Sequence, residues 1–474
     1  LERLRDLGIT AIELMPVAQF PGARNWGYDG VYPYAVQDSY GGPRDLQQLI
    51  DECHRVGIAV VLDVVYNHLG PEGNYLAEFA PYFTDAYQTP WGSALNFDGP
   101  HSGGVREFFI QNALQWVEDF HVDTLRLDAV HSIFDRSAVT FLEELADAVH
   151  GRAEELGRHV YLIGESDLND PRVVRSSDLG GFGLDAMWCD DFHHATHVLL
   201  TGESSGYYAD FGRVTDLARA FRFGMSHPGE YSPFRHRRHG RPGPELRPEQ
   251  FVICIQNHDQ VGNRLFGDRL SKLIGFEAQK LAAGLLCSAP FLPLLFMGQE
   301  YGETAPFQYW VSHGDPDLLE AVRQGRRREF AAFGVSESAP DAASPETFEQ
   351  SRLNLTLRDR GQHALLNRFY QRLLELRATR ASLDRVDAIA FEEQQVLLVE
   401  DATSDWSVFC FVRETTKVTL PVLPGHWRQL IASADPEWGG PGVQLPKQIQ
   451  SEGTVEAVLS PYSFVTYQRQ GANS

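Results

Sequence analysis

Seven short apolar runs separated by amphipathic stretches constrain this chain more than any other feature. They are ITAIELMP (9–16), IAVVLDVVYN (58–67), VDTLRLDA (122–129), VYLIGES (160–166), GLDAMW (183–188), FVICIQNHD (251–259) and FLPLLFMG (291–298). Pieces with helical spacing lie between them, such as DLQQLIDECHRVG (45–57), VREFFIQNALQWVEDF (105–120) and AVTFLEELADAVHGRAEELG (138–157). Apolar strands alternating with helices predict a parallel sheet covered by helices. Seven is one short of the eight that close a (β/α)8 barrel. The opening LERLRDLG reads as the end of a helix entering the first run, which places the missing strand before residue 1.

The pattern changes after a helical segment at about 363–380. AIAFEE, QVLLVE, WSVFCFVR, KVTLPV and SFVTYQ are strands without helices between them. The expected architecture is α/β: a (β/α)8 barrel over residues 1–382 that lacks its first strand, then a small antiparallel β-sandwich over 383–474. Residues 69–104 and about 189–250 read as long excursions from the barrel.

Charge and composition exclude several function classes. Lys and Arg total 41 against 64 Asp and Glu, a net charge of −23, which repels nucleic acid and anionic membranes. The basic stretch RHRRHGRPGP (235–244) therefore reads as a solvated loop. Residues 281–298 carry no charge over a bilayer-spanning length, but Pro290 and Pro293 divide them into a helix end and a buried strand. Five cysteines without C-x-x-C spacing, and no secretory apolar segment at the start, point to reduced thiols in a cytoplasmic protein.

The strand ends carry the chemistry. Asp63, Asp128, Glu165 and Asp259 each lie at or just past the C-terminal end of an apolar run. Barrel active sites are built on that rim, so these acids are expected to converge. A lone Asp after a strand is often only a helix cap, but four in one context favour a site. In LRLD the period of two puts Arg126 and Asp128 on one face and Leu125 and Leu127 on the other. A guanidinium beside Asp128 keeps it ionised, as a nucleophile requires, while neighbouring carboxylates favour a proton on Glu165. Carboxylates in opposed protonation states are the signature of glycoside hydrolysis.

Loop aromatics Trp26, Tyr28, Tyr32, Tyr34 and Trp91 could stack on sugar faces or pin their loops to the barrel. GFGLDA (181–186) satisfies G-x-G-x-x-A, but no helix is expected to open in the following MWCDDFHH, so a dinucleotide site is rejected. His193, His194 and His197 lack a third metal ligand and read as loop histidines bonded to sugar or protein.

On these residues the chain resembles the α-amylase superfamily of retaining glycoside hydrolases. DVVYNH (63–68), LRLDAVH (125–131), GES (164–166) and QNHD (256–259) look like its four signature segments, in order. The resemblance implies Asp128 as nucleophile, Glu165 as general acid/base and Asp259 as transition-state stabiliser. It places Arg126, His258, Asp63 and His68 around the reacting glucose, with Tyr28 of WGYDG as its stacking platform. His131, Gln260 and Asn263, in or beside the same segments, complete the expected substrate-binding set.

Up to about residue 360 the likeness is strongest to the branch acting on malto-oligosyltrehalose, an α-1,4-glucan with a trehalose end. The most discriminating stretch is MWCDDFHHATHVLLTGESSGYYADFG, which implies that Asp190, Asp191, Phe192 and His193 help to read that end. The implied reaction is a double displacement at the bond next to trehalose, releasing trehalose and a maltooligosaccharide. It implies a synthase that supplies malto-oligosyltrehalose, and no metal or other cofactor. The alternatives are a glucan branching transferase with the same acids and a non-catalytic glucan-binding homologue.

Overall fold

All seven apolar runs form strands. The structure is a computed structural model that describes residues 1–332, 339–380, 385–401 and 405–470. The chain divides into two units, Leu1–Trp188 with Gln308–Gln350, and Cys189–Phe307 with Ser351–Ser474.

The first unit holds β1 (Ala11–Leu14), β2 (Ala59–Val64), β3 (Thr124–Leu127), β4 (Tyr161–Gly164) and β5 (Ala186–Trp188). They pair in parallel in chain order. Three of the expected helices are α1 (Gly42–Arg55), α2 (Ser102–Glu118) and α3 (Phe141–Glu155). α3 opens on a capping box: the Thr140 side chain accepts from Glu143 N, and the Glu143 carboxylate accepts from Thr140 N. Register then positions the chemistry. Asp63 pairs with Arg126 and Leu62 with Leu125, so the polar residues share one face. Leu125 and Leu127 are wholly buried on the other, as the LRLD pattern requires. The 69–104 excursion is not irregular throughout; it contains a hairpin of Phe83–Thr89 and Gly92–Leu95.

The second unit begins with a correction. Residues 189–250 contain α4 (Asp190–Thr201) and α5 (Val214–Phe223), so DDFHH opens a helix rather than a loop. Asp190 and Asp191 lie in its first turn, where acids complement the N-terminal dipole. The dinucleotide reading fails for another reason: GFGLDA precedes β5 instead of joining a strand to a helix. β6 (Phe251–Cys254) and β7 (Leu292–Leu294) pair in parallel. The uncharged stretch 281–298 divides between α6 (Phe276–Ser288) and β7, and among the described residues no helix is long and apolar enough to cross a membrane. The basic stretch carries a two-residue hairpin, Tyr231–Ser232 with Arg237–Arg238, and its arginines at 237, 238 and 241 are exposed.

After α7 (Gly361–Ala378) comes the antiparallel region: β8 (Val386–Phe391), β9 (Val396–Asp401), β10 (Asp405–Cys410), β11 (Thr416–Leu420), β12 (Gly425–Ala432), β13 (Gln448–Ser451), β14 (Val455–Leu459) and β15 (Ser463–Arg469). Six strands form a sheet in the order β8-β9-β10-β15-β12-β13, and β11 pairs with β14. Trp406, Trp427, Tyr467, Val408 and Leu420 fill their core. The sequence reading missed β12, β13 and β14. In β12, HWRQLIA mixes polar and apolar residues, and its register shifts between Gln429 and Ile431, which breaks the period of two. The expected domain boundary at 382/383 falls in 381–384, outside the described residues.

Candidate active site

In the first unit, four strand-borne groups meet at one guanidinium. Arg126 is completely buried, and its Nη1 donates to Asp63 Oδ1 at 2.9 Å, Asp63 Oδ2 at 2.8 Å and Asp128 Oδ1 at 2.9 Å. Its Nη2 lies 3.6 Å from Glu165 Oε2. The guanidinium stands 4.4 Å from the Trp188 ring centroid, a cation–π contact that holds it against β5. Burial works against a charge there, but the carboxylates outweigh it, and Arg126 remains a cation. Burial pushes the Asp63 carboxyl well up, with Asp128 and Glu13 adding to the effect and Arg126 opposing it.

Two loop devices complete this cluster. Tyr28 donates its hydroxyl to Asp63 Oδ2 at 2.6 Å. Gly27 makes the Tyr28 loop possible: its φ is +105°, and a Cβ there would stand 2.1 Å from the Pro16 carbonyl oxygen. His68 is buried, its Nε2 lies 2.9 Å from the Tyr28 carbonyl, and its ring stacks on Trp91 at 4.3 Å. Burial lowers the proton affinity of His68, so its ring is neutral at pH 7. Glu165 Oε2 also accepts from Ala129 N at 2.6 Å. Ala129 has φ +39°, a left-handed conformation that costs a non-glycine residue about 1–2 kcal/mol. That turn aims its N–H at Glu165. His131, two residues on, has Nε2 3.8 Å from Asp167 Oδ1.

Three of the loop aromatics are pinned within the protein. Trp26 is buried, donates Nε1 to the Gln308 carbonyl and packs edge-on to Tyr309 and Trp310, which is loop pinning. Tyr32 and Tyr34 tie their hydroxyls to the carbonyls of Gly73 and Phe108.

The remaining expected residues belong to the second unit. His258 and Asp259 begin a short helical turn capped by Asn257, whose side chain accepts from Gln260 N at 2.8 Å. His258 Nε2 lies 3.4 Å from Asp259 Oδ2. Asp259 is partly open, Asn263 is exposed, and Gln260 Oε1 accepts from the Tyr207 hydroxyl at 3.1 Å.

The DDFHH residues are more deeply held than a sugar-contacting loop. Phe192 is fully buried. His193 Nδ1 lies 2.9 Å from the Ile255 carbonyl and Nε2 3.0 Å from the Tyr208 hydroxyl, and burial lowers its proton affinity far below the usual range. His197 pairs with Glu203, which Arg264 also grips through two hydrogen bonds. Asp191 Oδ2 accepts from the backbone N of Ser226 and His227. Burial alone would raise Asp191, but the His227 hydrogen bond and charge outweigh it and leave Asp191 lowered; the same pairing raises His227 despite its burial. The His227 contribution is complete below its unfolded value and disappears as pH rises through its elevated folded value. Accordingly, His227→Gln is expected to cost ~1 kcal/mol or more in urea unfolding at about pH 6 and much less at about pH 9. Equal costs at both pH values would remove the charge from the account.

Glu13, Trp188, Ala129 and Tyr207 were not anticipated from sequence. Only Glu13 left a signal there, as the lone acid in an otherwise apolar strand.

Acids, arginine and histidine on the ends of parallel strands, with aromatic loops beside them, fit the catalytic-barrel class of the α-amylase type. The family model "Alpha amylase, catalytic domain" matches residues 1–91. A Salmonella typhimurium crystal structure, provisionally assigned as an alpha amylase, aligns over 98% of this chain and 77% of its own, with a TM-score of 0.85 and 38% identity. An Anoxybacillus α-amylase matches at TM-score 0.64 and 19% identity over 99% of this chain and 88% of its own, a likeness of fold alone. The chain therefore has the (β/α)8 class of fold with an antiparallel sheet region at its C-terminus.

Curated relatives narrow the class. The malto-oligosyltrehalose trehalohydrolase of Arthrobacter ramosus is 46% identical over 94% of this chain and 77% of its own length. That of Saccharolobus solfataricus is 48% identical over 80% of this chain and 64% of its own. The chain belongs to the malto-oligosyltrehalose trehalohydrolase family. It spans 64–77% of the length of these two relatives. A glucan branching enzyme of Geobacillus stearothermophilus is 31% identical over 64% of this chain and 45% of its own length.

Proposed function

We propose that this chain hydrolyses the α-1,4-glucosidic bond next to the terminal trehalose unit of malto-oligosyltrehalose, with retention of configuration. The observation that carries the reading is the cluster on Arg126, where Asp128 Oδ1 and Glu165 Oε2 approach the same guanidinium at 2.9 and 3.6 Å. Glu165 protonates the glycosidic oxygen while Asp128 attacks the anomeric carbon, and trehalose departs. Asp259 offsets the oxocarbenium-like charge. Water deprotonated by Glu165 then releases the maltooligosaccharide and restores both acids. Asp63, His68, Arg126 and His258 hold the reacting glucose, Tyr28 stacks on it, and His131, Gln260 and Asn263 complete the sugar contacts.

Asp191, Phe192 and His193 contribute to the trehalose end indirectly, because their side chains are occupied by Ser226, His227, Ile255 and Tyr208. They set the shape of the segments that α4 carries, with Asp190 at its first turn. The substrate implies a synthase that builds trehalose-ended glucans, and five buried free thiols suit the cytoplasm.

Product analysis on malto-oligosyltrehalose and on amylose tests this reading. Trehalose plus a shortened maltooligosaccharide is expected from the first, and no new linkage from the second. New α-1,6 branches would instead establish the transferase, and binding without turnover the glucan-binding homologue.

A further inference from the structure

Glu13 lies outside the signature segments, yet the sheet register carries it to the face that bears the acid cluster. Glu13 pairs with Val61, and Val61 shares a face with Asp63, two residues along β2. Val61 in turn pairs with Thr124, which shares a face with Arg126 and Asp128. Glu13 therefore points to the same side of the sheet as Asp63, Arg126 and Asp128, one pleat nearer the strand starts. Its charge interacts with Arg126 and, in turn, with Asp63. Arg126 has unused donors: its buried Nε and Nη2 make no hydrogen bond among the described residues.

The charge count gives this placement its consequence. Asp63, Asp128 and Glu165 lie within 3.6 Å of one guanidinium and Glu13 stands one pleat nearer the strand starts on the same face, so four potential negative charges share one fixed positive charge. Tyr28 adds a hydroxyl but no charge while it donates to Asp63. Such a cluster titrates as a unit, and adding one negative charge makes the other members hold their protons more tightly.

We propose that Glu13 is a positioning residue which, from its place on the same face of the sheet and acting through Arg126, helps to keep the proton on the general acid at alkaline pH. The proposal deepens the glycosidase reading and rests on it. Glu13 is half-buried, and desolvation, with Arg126 opposing, pushes it up to about 7, so acid conditions favour its neutral form and alkaline conditions its charged form. Below about pH 6, Glu13→Gln then replaces one neutral group by another of the same shape. Above neutrality it removes a charge.

The test is the pH profile of kcat/KM for trehalose release by wild type, Glu13→Gln and Glu13→Asp. Wild type and Glu13→Gln should agree within about threefold near pH 6. The alkaline limb of Glu13→Gln should fall about one pH unit earlier, a roughly tenfold deficit near pH 8, and Glu13→Asp should restore part of it. Superimposed profiles, a shift the other way, or a uniform loss at every pH would each overturn the proposal.

Thermal melts supply a readout that needs no activity. An acid whose folded proton affinity is raised loses stability as pH climbs from its unfolded value to its folded one. The Tm advantage of Glu13→Gln should therefore grow between about pH 4.5 and 7 and then level off. A constant difference overturns the titration of Glu13. An inactive wild type would sink the parent reading and the positioning role of Glu13, leaving the melts to decide its titration alone.

Discussion

If Asp128 is the nucleophile, Asp128→Asn is expected to reduce trehalose release by about 10⁴-fold or more while leaving substrate binding nearly intact. Asparagine keeps the shape and one acceptor oxygen for Arg126 Nη1, which Asp128 occupies at 2.9 Å, but it cannot form the glycosyl-enzyme bond. Because the loss lies in a covalent step, it should appear in kcat with little change in binding. Single-turnover product analysis and calorimetric titration of the same variant measure the two quantities separately. Residual turnover within about tenfold of wild type would remove Asp128 from the nucleophile role.

Arg126→Met carries the other large effect, and it extends beyond catalysis. Arg126 is fully inside the protein, and Asp63 beside it is 2% exposed. Removing the cation leaves buried carboxylates without their counter-charge, which typically costs about 3–5 kcal/mol. The sign of the pH dependence follows from linkage. Without Arg126, the folded-state proton affinity of Asp63 rises further above its unfolded value. The variant is then least handicapped at acid pH and falls progressively behind wild type as pH rises through the carboxylate range. Urea unfolding at about pH 5 and pH 8 checks this. An unchanged midpoint would mean that the acids do not depend on this guanidinium.

Much of the candidate site was legible because strand periodicity is a local property. Arg126 and Asp128 share a face whatever the remainder of the fold does, since side chains alternate along any strand. Their contact at 2.9 Å follows from residues two apart in one short run. The pairing of Asp63 with Arg126 was legible only as an expectation of convergence, since it depends on parallel register between residues 63 apart in sequence. Glu13 illustrates the limit. A solitary acid in ITAIELMP carries no sign of its neighbours, and its environment exists only once β1 aligns with β2. DDFHH failed in the opposite direction. Its polar residues suggested a loop, but they stand in a helix with their polar atoms bonded to other segments, which no hydropathy pattern reveals.

The amino-acid order by itself determined the seven parallel strands, the faces on which Arg126 and Asp128 stand and the signature segments that point to sugar chemistry. These depend on spacing of two or about four residues, which a linear chain records directly. Tertiary structure alone decided which acids share Arg126, that Ala129 turns its N–H onto Glu165, and that Asp191 and His193 are committed to protein partners. Those outcomes depend on register and burial between distant segments, and the energy of a charged group is set by whichever groups replace its water.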